Sequence, residues 1–209
     1  MERIEFLTEF ILQSDRIERI SDNRSLLEDQ ICEGKENGHV GAILFLEKLA
    51  EDKSGLLTEK DIKNVQGLIT AEQELKDPNL KLAPRHIGEY RDVPVEIFGR
   101  KCASPKKVPS SMLSLISGVN HLQKNWRKMT ELQVIGDIAG FYFDFEMLHP
   151  FRDGNGRTGR ALVFYLMKYI GREPFIFTEE EMYVFHFPSL QYGERKAIRK
   201  YFWDKSGIF

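Results

Sequence analysis

At 209 residues, with 42% hydrophobic and 30% charged side chains, the chain has the composition of one globular domain large enough to bury a core, and not that of a disordered or membrane-spanning polypeptide. Thirty Lys and Arg against 32 Asp and Glu leave a net charge of -2, which excludes a chain-wide electrostatic attraction to nucleic acid. The two cysteines, Cys32 and Cys102, form no C-x-x-C pair, which argues for a reducing compartment and against a disulfide framework or a zinc site.

The N-terminus reads MERIEFLTEFIL, with Glu2, Glu5 and Glu9 where a signal peptide needs a basic lead and an uninterrupted apolar run. Ile4, Leu7 and Ile11 with Phe6 and Phe10 keep helical spacing. A second amphipathic helix follows in GAILFLEKLAEDKSG, burying Ile43, Leu46 and Leu49 and ending at Gly55. Thr58 is the expected N-cap of a third, with Ile62, Val65, Leu68 and Ile69 inward. Residues 85–108 break the helical pattern: Gly88, Pro94 and Gly99 punctuate short alternating pieces that read as a two-stranded hairpin. After Pro109 a helix carries Met112, Leu115, Ile116 and Val119, and Thr130-x-x-Gln133 opens another that buries Ile135, Ile138, Phe141, Tyr142 and Phe145. ALVFYLMKYI is a further helix that stops at Gly171; its apolar core at 161–167 falls far short of the roughly 20 residues of a membrane span. Thr178 with Glu181 caps a short helix, Pro188 interrupts, and ERKAIRKYFW closes the pattern by docking Ile198, Tyr201 and Phe202 with its Lys and Arg in solvent. The expectation is one mostly α domain over 1–209 with one small β-hairpin, cytoplasmic, with no membrane and no nucleic-acid partner.

The densest polar chemistry lies at a seam between two apolar helices, HPFRDGNGRTGR at 149–160. Pro150 disfavours the α conformation for the residue before it, so the first helix should end at His149 and turn its imidazole outward. Gly154, Asn155 and Gly156 allow a tight backbone whose N–H groups converge at the next helix start, where the macrodipole favours an anion. Arg157 and Arg160 follow on one side of that helix, so two guanidinium forks reach successive phosphates. Asp153 at the lip is a hard oxygen ligand placed for a Mg²⁺ that bridges phosphates. His149 supplies a base that titrates near neutrality. Phe151 and Gly159 read as fold positions, an anchor for the loop and a close helix contact. Singly, each of these residues has an ordinary structural explanation; together and in order they point to attack on a magnesium-bound polyphosphate.

This stretch resembles the signature of the Fic family, H-x-F-x-[DE]-G-N-G-R-x-x-R, with all eight specified positions filled by His149, Phe151, Asp153, Gly154, Asn155, Gly156, Arg157 and Arg160. The resemblance implies a Fic-like helical bundle, a catalytic helix-loop-helix over 131–171, and transfer of AMP from ATP to a Ser, Thr or Tyr hydroxyl of a protein, itself included. In those terms His149 is the base, Asp153 the Mg²⁺ ligand, Gly154 to Gly156 the phosphate cradle, and Arg157 and Arg160 the clamp on the β and γ groups. Gly156 separates the chain from the related Doc branch, which tends to carry Lys there. The hairpin over 85–108 corresponds to the flap that holds a target segment by strand addition, with HIGEYRDVPVEIFG as the candidate.

SDRIER at 14–19 resembles the family's inhibitory motif, [ST]-x-x-x-E-[GN], within a candidate inhibitory helix at 1–22. It implies that Glu18 occupies the γ-phosphate position against Arg160, although Arg19 stands where Gly or Asn is expected. Alternatives left open are a nucleotide-responsive regulatory module without transfer, an enzyme that removes AMP, and one that transfers another nucleotide moiety. The target, the base specificity, the residues that contact adenine and the oligomeric state are not legible in the sequence.

Overall fold

The structure, a computed structural model, describes residues 2–53, 55–71, 81–97 and 99–208. Ten α-helices and one hairpin are seen among them, in the order α1 (Arg3–Ile17), α2 (Arg24–Cys32), α3 (Gly38–Asp52), α4 (Glu59–Ala71), β1 (Glu96–Ile97), β2 (Arg100–Lys101), α5 (Val108–Asn125), α6 (Glu131–Leu148), α7 (Asn155–Tyr169), α8 (Glu179–Glu181), α9 (Phe187–Tyr192) and α10 (Arg195–Lys205). α7 is the axis of the bundle: every residue from Arg157 to Met167 is buried. It packs against α1, α3, α4 and α6, so the apolar run from Ala161 to Met167 is covered on every side. α6 in turn packs on α5 and α10, where Ile198 and Phe202 are fully buried. No helix among the described residues is long and apolar enough to cross a membrane.

The expected caps form. Thr130 and Gln133 exchange both bonds of a capping box, as do Thr178 and Glu181, and Thr58 Oγ1 accepts the Asp61 N–H at 3.2 Å. Gly171 is left-handed at φ 76°, and Arg172 N donates to Met167 O at 2.9 Å, which closes α7 with a Schellman turn.

Several boundaries differ from expectation. α3 ends at Lys53, which itself takes the left-handed position at φ 47°, so Gly55 is not the cap. Pro188 does not break a helix: it lies in the first turn of α9, directly after a π-helical stretch at Met182–His186. Proline has no N–H to give the i−4 carbonyl, and the widened turn before it absorbs the missing bond. The hairpin expected over 85–108 shrinks to its tip, where Glu96 pairs with Lys101 and Ile97 with Arg100; residue 98 lies outside the described residues. Its flanks are 3₁₀ turns at Pro84–His86 and Pro105–Lys107, and Pro94 and Pro105 each remove a ladder donor from the expected strands. α2 had no counterpart in the expectation, although Asn23 accepts the Leu26 N–H at 3.1 Å as an ordinary N-cap.

Candidate active site

α6 ends at His149, which adopts φ 49° and ψ 64° and donates its N–H to Phe145 O at 3.0 Å. A left-handed non-glycine residue costs roughly 1–2 kcal/mol, so the surroundings must hold it. They do so from three directions. Asn155 clamps the loop internally, its Oδ1 accepting the Phe151 N–H at 2.8 Å and its Nδ2 donating to Phe151 O at 3.0 Å. Arg91 donates its backbone N–H to Pro150 O at 2.9 Å and its Nε to His149 O at 2.7 Å. Gln66 of α4 donates Nε2 to Asp153 O at 3.0 Å while its Oε1 accepts the Gly88 N–H at 2.6 Å. Phe151, fully buried against Tyr90 and Phe145, anchors the whole turn.

Gly154 sits at φ 74°, and a Cβ there would come within 2.7 Å of Thr70 Cγ2, so both conformation and space demand glycine. Its N–H donates to Asp153 Oδ1 at 2.7 Å. Asn155, Gly156 and Arg157 then form the first turn of α7, whose amides have no acceptor within the helix. The two arginines curl back over this turn. Arg157 Nη2 lies 3.9 Å from the Cβ position of Gly154, and Arg160 Nη1 lies 3.0 Å from that of Gly156. Both side chains are almost fully buried.

The hydrogen bonds that hold the Arg160 guanidinium come from α1 and its cap. Nε donates to Ser14 Oγ at 2.9 Å, and Nη2 donates to Ser14 O at 3.0 Å and to Glu18 Oε1 at 2.9 Å. The Glu18 carboxylate rests on the first turn of α7, where a Cβ at Gly156 would collide with it. α1 closes with a Schellman turn: Arg19 N donates to Arg16 O and Ile20 N to Asp15 O, both at 2.9 Å. Arg19 is the left-handed residue of that turn at φ 56°. Gly or Asn adopts this conformation more readily than the arginine that stands here.

Charge follows burial. Burial pushes the His149 imidazole below its ordinary pKa, and Arg91 adds to this; the Glu146 carbonyl and the Glu18 and Asp153 charges oppose them without prevailing. The ring is therefore neutral at pH 7, and its Nδ1 is enclosed. For Arg160, burial works against the charge, but Glu18, Tyr142 and Glu146 outweigh it and hold the guanidinium above its usual range. Glu146, one helical turn before His149, is pushed up to about 8, chiefly by burial, with Glu18 adding to the shift and Arg160 opposing it. It is thus a neutral acid under the Arg160 pocket, pressed against Gly159, whose missing Cβ leaves room for its carboxyl.

The residues expected from the sequence are thereby brought together: His149, Asp153, Gly154, Asn155, Gly156, Arg157 and Arg160 line one helix start, and Glu18 reaches them across 142 residues of chain. Asn155 departs from its expected part in one respect, since its side chain is committed to the loop and only its backbone faces the cradle. Ser14, the first residue of SDRIER, holds Arg160 from α1, and Gln66, Arg91 and Glu146 belong to the same construction and had no assigned role. Glu146 alone carried a signal, an acid inside the apolar run FYFDFEML on the side of the helix that leads to His149. The roomy groove of about 740 Å³ between α4 and the approach to the hairpin, lined by Glu59, Lys63, Gly67, Ile87 and Gly88, lies away from this chemistry. The cavity that borders Arg157 is only about 100 Å³.

A family model described as the Fic/DOC family matches residues 56–167. A protein of Aquifex aeolicus (strain VF5) named "Probable protein adenylyltransferase" is 31% identical over 112 residues, which cover 52% of this chain and 32% of that relative's length. Among solved structures, a Fic domain containing signaling protein from Bacteroides thetaiotaomicron matches with a TM-score of 0.69 at 18% identity, covering 95% of this chain and 86% of the other. Fic-1 from C. elegans matches with a TM-score of 0.67 at 16% identity, covering 99% and 61%.

Proposed function

The chain belongs to the Fic/DOC family, whose model spans more than half of it, and on that premise we propose that it transfers AMP from ATP to a hydroxyl of a target protein while Glu18 holds the site closed. One juxtaposition carries this reading: a neutral, half-buried imidazole at the end of α6 beside a helix start whose two buried guanidinium groups face its glycines, with a carboxylate standing where a phosphate would bind. With Nδ1 enclosed, Nε2 is the nitrogen left to accept a proton. His149 takes it from a Ser, Thr or Tyr hydroxyl as that oxygen attacks the α-phosphorus. The new P–O bond forms as the bond from the α-phosphorus to its bridge oxygen breaks. Arg157, Arg160 and the first-turn amides of α7 hold the charge of the departing pyrophosphate.

Asp153 is the carboxylate of this loop, 41% exposed, with Oδ1 already taken by the Gly154 N–H. No three His, Cys, Asp or Glu gather as a metal site among the described residues. This donor set suits Mg²⁺, which is held by one or two carboxylates with phosphate oxygens and water; Asp153 would hold it, and it would neutralise phosphate charge. Glu18 inhibits by competition. A terminal phosphate needs the Arg160 Nη2 that Glu18 occupies, so productive binding requires the pair to open.

The test is incorporation of label from α-labelled ATP with Mg²⁺ by the wild type, Glu18→Gly and Glu18→Gly/His149→Ala. Label in the second sample alone supports the reading. Equal label in the second and third removes His149 from the chemistry, and ATP binding without label in any sample favours a regulatory module.

A further inference from the structure

Arg91 stands outside the signature, 58 residues before His149, yet its side chain touches both the His149 backbone and the hairpin stem. It is 2% exposed. Nε donates to His149 O at 2.7 Å, and Nη2 donates to Leu148 O at 3.3 Å, which caps the open carbonyls at the end of α6. The rest of the fork goes to the hairpin stem: Nη1 donates to Val93 O at 2.9 Å on one arm, and Nη2 donates to Ala103 O at 2.6 Å on the other. The backbone N–H completes the tie through Pro150 O at 2.9 Å.

We propose that Arg91 is a positioning residue that locks the hairpin stem and the His149 backbone into one rigid unit, so that a protein segment paired on the hairpin has its hydroxyl delivered at a fixed offset from the imidazole. This rests on the transferase reading given above. The physical argument begins with the hairpin, whose paired part is only two residues on each strand. Such a ribbon has little stability of its own. A target bound on it would bring along whatever looseness the stem has, and a displacement of about 1 Å at the reacting atoms costs on the order of 100-fold in rate. The planar fork prevents this: its donors are fixed relative to one another, so holding Val93 and Ala103 at one end and His149 at the other fixes the distance between them. The His149 carbonyl bond also secures the left-handed backbone from which the imidazole projects. The buried cation is tolerated because it sits at the negative end of α6.

A lysine would keep the charge and lose the fork, and a methionine would lose both. In a Glu18→Gly parent, Arg91→Lys and Arg91→Met should each lower kcat for labelling of a protein target by roughly 100-fold, with Kd for ATP within twofold of the parent. Hydrogen exchange of segments 92–103 and 146–151 should accelerate together in both variants. A kcat within twofold of the parent in Arg91→Lys, or a loss of ATP affinity equal to the loss of kcat, overturns the proposal. So does a hairpin that loosens while 146–151 keeps its protection. A parent that labels nothing is the failure of the transferase reading instead, and the exchange experiment then decides the mechanical link by itself.

Discussion

Removing the Glu18 carboxylate should strengthen binding of ATP and leave AMP untouched, and the size of the effect follows from the pair it breaks. Glu18 Oε1 accepts from Arg160 Nη2 at 2.9 Å, with the arginine side chain 1% exposed and the glutamate side chain 35% exposed. Two unit charges at that distance attract by about 6 kcal/mol at an effective dielectric of about 20. That figure is an upper bound, because the glutamate is more than a third open to screening water. Charge-assisted hydrogen bonds contribute a net of about 1.5–3 kcal/mol, and the exposed partner places this one at the low end. About 1.5 kcal/mol is a little over tenfold in affinity. Titration of Glu18→Gly by calorimetry should therefore give a Kd for ATP roughly tenfold below that of the wild type, with no change for AMP, which lacks the terminal phosphates that compete with Glu18. Glu18→Gln, which removes the charge and keeps the shape, should fall between. Equal gains for ATP and AMP, or none for either, would refute the competition argument.

Three further outcomes are expected. The acidic limb of the pH–rate profile of Glu18→Gly should lie below about pH 6.5, the ordinary imidazole value, because the lowered pKa of His149 keeps the ring neutral until the pH falls through it; a limb above that value contradicts the assignment. Arg19→Gly should stabilise the chain by about 0.5–1 kcal/mol in denaturant unfolding, since it relieves a left-handed arginine, and should deepen inhibition by firming the turn that presents Glu18; lower stability would show the conformation is not strained. Glu146 keeps its proton in the folded chain up to about pH 8 and loses it near pH 4.3 when unfolded, so stability should decline as pH rises between those values and level off above them. Glu146→Gln should flatten that decline, and an unchanged slope would show that the buried acid is not its source.

What the sequence disclosed was local. The motif at 149–160 was readable because its chemistry is contiguous, and the caps at Thr130 and Thr178 because a capping box spans only four residues. Apolar periodicity located α7 but not its role as the axis, which depends on four partners. Left-handed caps at Lys53 and Arg19 escaped because propensity favours glycine, and the turn hydrogen bonds overrode it. The hairpin was overextended because Val93, Val95 and Ile97 alternate correctly while Pro94 and Pro105 deny the ladder. Arg91 and Gln66 gave no local sign of their roles, because the bonds that tie them to the catalytic loop reach 58 and 87 residues along the chain. Glu18 was found only through a short pattern, and the bond to Arg160 gives that pattern its geometry.

The account stands on the polarity of the nucleotide over α7, with the α-phosphorus toward His149 and the terminal phosphates toward Arg160. Parallel reactions of Glu18→Gly with ATP labelled at the α or at the γ phosphorus read that polarity directly. The account predicts covalent label on protein from the α position alone, abolished by His149→Ala. Label carried from the γ position, or α label that survives loss of His149, would contradict it.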